Sequence, residues 1–142
     1  SKTPLDRLAT VDVSDRVVKN YYSTDTRSAI PSADMLTADD LYLDALLAVR
    51  TARTSTLGLF PHYDLERLAR AEQLLNEVLE RTETRSFLAL EAQFYLGKVY
   101  LAQEKVEAAR SSFKTVVEHE ARQAKDALDI LKTLQQEYPV GQ

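Results

Sequence analysis

From Thr37 as far as Tyr138, the apolar residues of this chain recur every three or four positions, interrupted only by short polar breaks. That spacing keeps one side of a helix apolar and does not fit the period of two expected of a half-buried strand. Glycine and proline, the residues that would interrupt it, number only 3 and 4 among 142. Ala, Leu, Glu, Lys, Arg and Gln dominate the second half of the chain, and these are strong helix formers. The pattern predicts an all-α fold of antiparallel helical hairpins with no sheet between residues 38 and 138. A chain of this length fits one domain around one core.

The breaks locate five helices. Thr37 is a good N-cap, and Asp40 completes a capping-box pattern with an acid in place of Glu. Leu41, Leu43, Leu46, Leu47 and Val49 follow as a broad stripe, and Gly58 and Pro61 are expected to end this helix. A second helix spans about Asp64 to Arg81, with Leu65, Leu68, Ala71, Leu74, Leu75, Val78 and Leu79 inward. Ser86 caps a third, which turns Leu88, Ala92, Leu96, Val99 and Tyr100 inward and closes at Gln103–Lys105. The fourth carries Val106, Ala109, Phe113, Val116 and Val117 to about His119. The fifth runs from about Arg122 to Glu137 and stops before Pro139. Short connections imply antiparallel neighbours.

Residues 1–36 read as a partly ordered arm, 37–139 as the helical domain and 140–142 as a tail. Thr3, Pro4 and Asp6 have the makings of a helix start. Ser14 can cap a second short helix with Val17, Val18, Tyr21 and Tyr22 on one side, although Val11, Val13 and the tyrosine pair also favour a strand. Residues 23–32 read as a polar loop.

Residues 90–121 carry the strongest pattern in the chain: Ala92, Leu96–Gly97, Tyr100, Ala109, Phe113 and Val116 at fixed spacing across helix, turn and helix. This resembles the tetratricopeptide repeat. The turn Gln103-Glu104-Lys105-Val106 lacks the family's glycine, and Ala121 stands where its proline usually follows. Gly97 and Ala109 are small where two helix backbones approach, and Tyr100 and Phe113 fill the wedge between helices. Ala71, Leu75 and Val78 repeat the spacing 38 residues upstream, against the usual period of about 34. That earlier pair has Leu47–Ala48 in place of Leu-Gly, and an insertion from Thr54 to Tyr63. The fifth helix, with Ala127, Ile130, Leu131 and Leu134 in register, is expected to cap the array.

The sequence offers little for chemistry. With no cysteine, thiolate nucleophiles and cysteine metal sites are excluded. His62 and His119 have no partner at metal-ligand spacing. Asp39–Asp40, Glu118–Glu120 and Asp126–Asp129 read as caps and solvated faces. No serine lies in a nucleophile elbow and no glycine-rich phosphate loop exists. No enzyme activity, cofactor, metal or small-molecule substrate is expected. The net charge of -4, with Arg50, Arg53, Arg67, Arg70 and Lys98 scattered among acids, argues against nucleic acid.

The resemblance implies a concave groove for a protein partner. It places Tyr42, Val49 and Arg53 from the first helix there, with Glu91, Phe94, Lys98 and Leu101 from the third. An extended or helical peptide with some acidic character would suit such a lining. The clamp by which some family members grip a terminal carboxylate is not reproduced, because Phe94 stands among its polar positions. The alternative is a structural module that docks within its own longer chain or a homodimer, its groove filled by Val17, Val18, Tyr21 and Tyr22. Similar short arrays occur in bacteria, as periplasmic tails of membrane-anchored regulators and in envelope assembly proteins.

Overall fold

The computed structural model of the chain describes residues 4–10, 36–56 and 60–140. The expectations for Val11 to Ser32, including Val17, Val18, Tyr21 and Tyr22, lie outside these residues. Six helices are described: α1 (Pro4–Ala9), α2 (Ala38–Ala52), α3 (Leu65–Arg81), α4 (Phe87–Ala102), α5 (Val106–Glu118) and α6 (Ala124–Glu137). The fold is all-α, and from α2 onward each helix packs on the next.

The helix starts follow local chemistry. Thr37 and Asp40 form a complete capping box: the Asp40 amide donates to the Thr37 hydroxyl at 3.2 Å and the Thr37 amide donates to the Asp40 carboxylate at 2.9 Å. The Asp64 carboxylate accepts from the amides of Glu66 and Arg67, and the Ser86 hydroxyl from that of Ala89. Each of these bonds satisfies an amide that has no partner within its own helix. At the other ends, α4 and α5 stop at Glu104 and Glu120, both with positive φ, 62° and 49°. In each case the next amide reaches back over the turn, from Lys105 to the Tyr100 carbonyl at 2.8 Å and from Ala121 to that of Val116 at 3.2 Å. A left-handed glutamate costs about 1–2 kcal/mol that glycine would avoid, so the missing glycine of this turn leaves its geometry intact.

Two expectations are corrected. Residues 38–138 are not free of sheet, and the first helix does not reach Gly58. It ends at Ala52, and the chain forms an antiparallel ribbon, β1 (Arg53–Thr56) against β2 (Phe60–Tyr63), with Arg53 opposite Tyr63 and Thr56 opposite Phe60. Thr54 and Thr56 are β-branched and favour extended backbone. Pro61 is tolerated because both strands are edges. The base of the ribbon is closed by the Asp64 amide donating to the Ala52 carbonyl at 2.7 Å, and Arg67 donates to the Thr51 carbonyl at 3.1 Å. Leu65, expected inward, is 69% exposed: it opens α3, whose buried face begins at Leu68.

The centre of the fold is α4, which touches α1, α2, α3 and α5. Its sequence, FLALEAQFYLGKVYLA, is apolar all round, as suits a helix enclosed by neighbours. The closest approach is at Gly97. A Cβ there would lie 2.6 Å from Phe113 Cζ and 2.7 Å from its Cε1. The outer end of the array is polar: Lys125, Asp129, Lys132, Gln135 and Gln136 of α6 face solvent, with Leu128 among them. Arg110, buried on α5, donates to the carbonyls of Leu134 and Tyr138 and so holds the C-terminus of α6.

Candidate interaction groove

Phe94 and Lys98 stand one turn apart on α4, on the side where α1 lies. Pro4 opens α1 with φ already suited to a first turn, and Leu5 and Ala9 then fall four residues apart on one face. Both are pressed against the core, Leu5 to 7% exposure and Ala9 to 2%. Lys98 Nζ donates to the Leu8 carbonyl at 2.6 Å and lies 5.6 Å from the centroid of the Phe94 ring. One side chain therefore fills an orphan carbonyl at the end of α1 and places its charge on an aromatic face.

Burial pushes the Lys98 pKa down to about 8, with the Asp126 carboxylate acting the other way. In the unfolded chain a lysine titrates near 10.4, so between these values the unfolded state binds more protons. Stability contributed by Lys98 is therefore flat below pH 8 and rises from about pH 8 to about 10.5. The groups around the amine are Asp126 and Asp129 of α6, Tyr95 of its own helix and the Leu8 carbonyl of α1. The melting temperature of the parent relative to Lys98→Met is expected to climb across that window. Parallel curves for the two proteins would show that the amine is not desolvated.

Behind Lys98 runs a row of edge-to-face rings. Phe113 of α5 meets Phe94 at 5.6 Å, Phe94 meets Tyr95 at 5.4 Å, and Tyr95 meets Tyr42 of α2 at 6.0 Å. Burial, then the proximity of Tyr95 and Glu91, pushes the Tyr42 hydroxyl pKa up, so it stays protonated. Glu91 is 4% exposed. One of its oxygens accepts from Arg122 at 2.6 and 3.2 Å, and this hydrogen bond pushes the Arg122 pKa up. The other oxygen is buried with no hydrogen-bond partner.

Between α4 and α6, beyond the end of α1, lies a cleft of about 420 Å³ lined by Thr10, Phe94, Lys98, Asp126, Asp129 and Ile130. Gln123 also borders it. With its amide oriented to satisfy both ends, Gln123 donates to Asp126 at 3.2 Å and accepts from Arg122 at 2.8 Å. Among the described residues no lysine or arginine lies within salt-bridge distance of Asp126 or Asp129.

The expected lining is thus only partly assembled. Tyr42, Glu91, Phe94 and Lys98 do come together around Tyr95. Val49 and Leu101 instead belong to the core, and Glu91 and Phe94 are buried as well. The reason is the central position of α4, whose second side is covered by α1 and α2. Arg53 sits apart at the base of the ribbon, opposite Tyr63. Two sets of residues were not anticipated. Leu5, Leu8 and Ala9 carry the spacing of an amphipathic turn, so their signal lay in the sequence. Asp126 and Asp129 read as a solvated pair, and nothing local to α6 marks them as neighbours of Lys98. Comparison of the chain with protein-family models, curated proteins and solved structures found no match.

Proposed function

We propose that this chain is a protein-interaction scaffold of tetratricopeptide type, not an enzyme, whose groove on α4 takes a short amphipathic helix in a helix-in-groove mode. The observation that carries this reading is α1 itself: two apolar side chains four residues apart are seated on α4, and Lys98 receives the carbonyl between them. The seat holds its own N-terminal segment in cis. Six residues are too few to hold a helix unaided, so α1 owes its form to the seat. A tethered segment also enjoys an effective concentration in the millimolar range. Any partner must outcompete it or arrive with more contacts.

The same observation favours a second reading, in which α1 is a permanent structural cap and the chain docks only within itself. The two separate in a titration of the full chain with a peptide of residues 3–12, read by amide chemical shifts. Leu5→Asp is expected to release the cis helix and open the seat. The peptide should then shift Phe94 and Lys98 in the variant and leave the parent unmoved. A variant that keeps its helical circular dichroism and ignores the peptide would establish the structural reading.

A further inference from the structure

Because the groove extends past its cis occupant, we infer that its partner is a helical segment longer than α1, with Leu and Ala four residues apart and a Lys or Arg in the following turn. The inference rests on the groove being a helix seat, and it adds the partner's charge. Helix α1 covers the α4 surface only as far as Ala9, and Thr10 already borders the cleft. A continuing helix advances 1.5 Å per residue. Side chains three and four places beyond the alanine fall on the same face as the alanine and within one turn of it. They would enter the cleft that separates α4 from α6.

The chemistry of that cleft selects a cation. Its α6 wall carries Asp126 and Asp129, one turn apart, with no described cation at ion-pair distance. Phe94 and Ile130 supply apolar flanks along which a lysine or arginine stem can lie. The cation already present, Lys98, is directed towards the Leu8 carbonyl and the Phe94 ring, so it serves the peptide backbone. Asp126 acts on it only through space and accepts from Gln123, and neither carboxylate has an ion-pair partner among the described residues. This reverses the acidic preference expected from Lys98 and Arg53 alone. Lys98 is committed to α1's carbonyl, and Arg53 stands elsewhere on the ribbon. An arginine here would make charge-assisted bonds to two carboxylates at the solvent-exposed mouth of the cleft, whereas a glutamate would meet two like charges.

The test uses three synthetic peptides that begin with residues 4–9 of this chain: PLDRLAAAKR, PLDRLAAAEE and PLDRLAAAAA. Each is titrated against the full chain carrying Leu5→Asp. Ala9→Glu serves as a second undocked form should the first lose its helical circular dichroism. The basic peptide is expected to bind at least about ten-fold more tightly than the acidic one, with the neutral peptide between them. Asp126→Asn with Asp129→Asn, added to the undocked chain, should abolish that ranking while leaving the neutral peptide's affinity unchanged. Raising salt should weaken the basic peptide alone. Equal affinities for the basic and acidic peptides would overturn the inferred charge and leave the helix seat standing. No binding of any of the three to either undocked form would overturn the seat as well.

Discussion

Phe94→Ala is expected to lower the stability of the chain by about 3–5 kcal/mol, the usual cost of emptying a buried aromatic site. Phe94 is 5% exposed and lies in the middle of the ring row, edge-to-face with both Phe113 and Tyr95. Its removal takes the ring partner from Phe113 and leaves Tyr95 with Tyr42 alone, on top of the lost burial. It also takes away the aromatic face over which Lys98 sits, so the end of α1 loses support. For a chain of this size each kcal/mol corresponds to about 2–4 °C, so the melting temperature should fall by roughly 10 °C. Phe87 is the internal control. It belongs to the same helix but is 66% exposed, and Phe87→Ala should stay within about 0.5 kcal/mol. Thermal unfolding of the two variants side by side decides the matter. A Phe94→Ala protein as stable as Phe87→Ala would mean that Phe94 stands on an open face, as the repeat pattern alone suggests.

Gly97→Leu should cost about 1–3 kcal/mol by overpacking. The Cβ alone would sit 2.6 to 2.9 Å from three atoms of the Phe113 ring. That ring cannot swing aside, being fully buried and braced against Phe94. Relief must come from separating α4 and α5, which opens voids along the whole contact. Even Gly97→Ala should show no net gain. Its helix-propensity advantage of about 1 kcal/mol is offset by the same collision. Shrinking the obstacle should restore that advantage: Gly97→Ala in a Phe113→Leu background is expected to stabilise, a coupling of opposite sign to the single change. Denaturant melts of the four proteins in this cycle provide the check. A neutral Gly97→Leu would show that the two backbones are not held at the distance the glycine implies.

How much of this was legible beforehand varies along the chain, for identifiable reasons. The caps at Thr37 and Ser86 are local, because a side-chain oxygen meets an amide three residues away, and so they could be read directly; Asp64, read only as the start of its helix, caps in the same way. So could the close approach of two helices at Gly97, because a small residue at a fixed position leaves room for a neighbouring backbone, but only the structure shows that the Phe113 ring is what fills that room. The ribbon was missed because Thr54, Ser55 and Thr56 extend a helical run without a glycine or proline between it and them. Gly58 and Pro61 looked like the stop signal, whereas the β-branched residues ended the helix first.

The sequence alone determines the helices from residue 37 onward, the caps at Thr37 and Ser86, the order of the elements and the close approach of α4 and α5 at Gly97, since each depends on residues near in sequence or on one short turn. What it leaves undecided is which faces remain open. The groove face of α4 is apolar in either case, and the pattern of Glu91, Phe94 and Lys98 is the same whether water or a helix covers it. Only the tertiary structure shows α1 covering it from 90 residues away, where Lys98 meets the Leu8 carbonyl. The same holds for Asp126 and Asp129, whose carboxylates gain meaning only from the cleft that α6 shares with α4. Burial and charge environment are sums over neighbours distant in sequence, and a local pattern does not contain them.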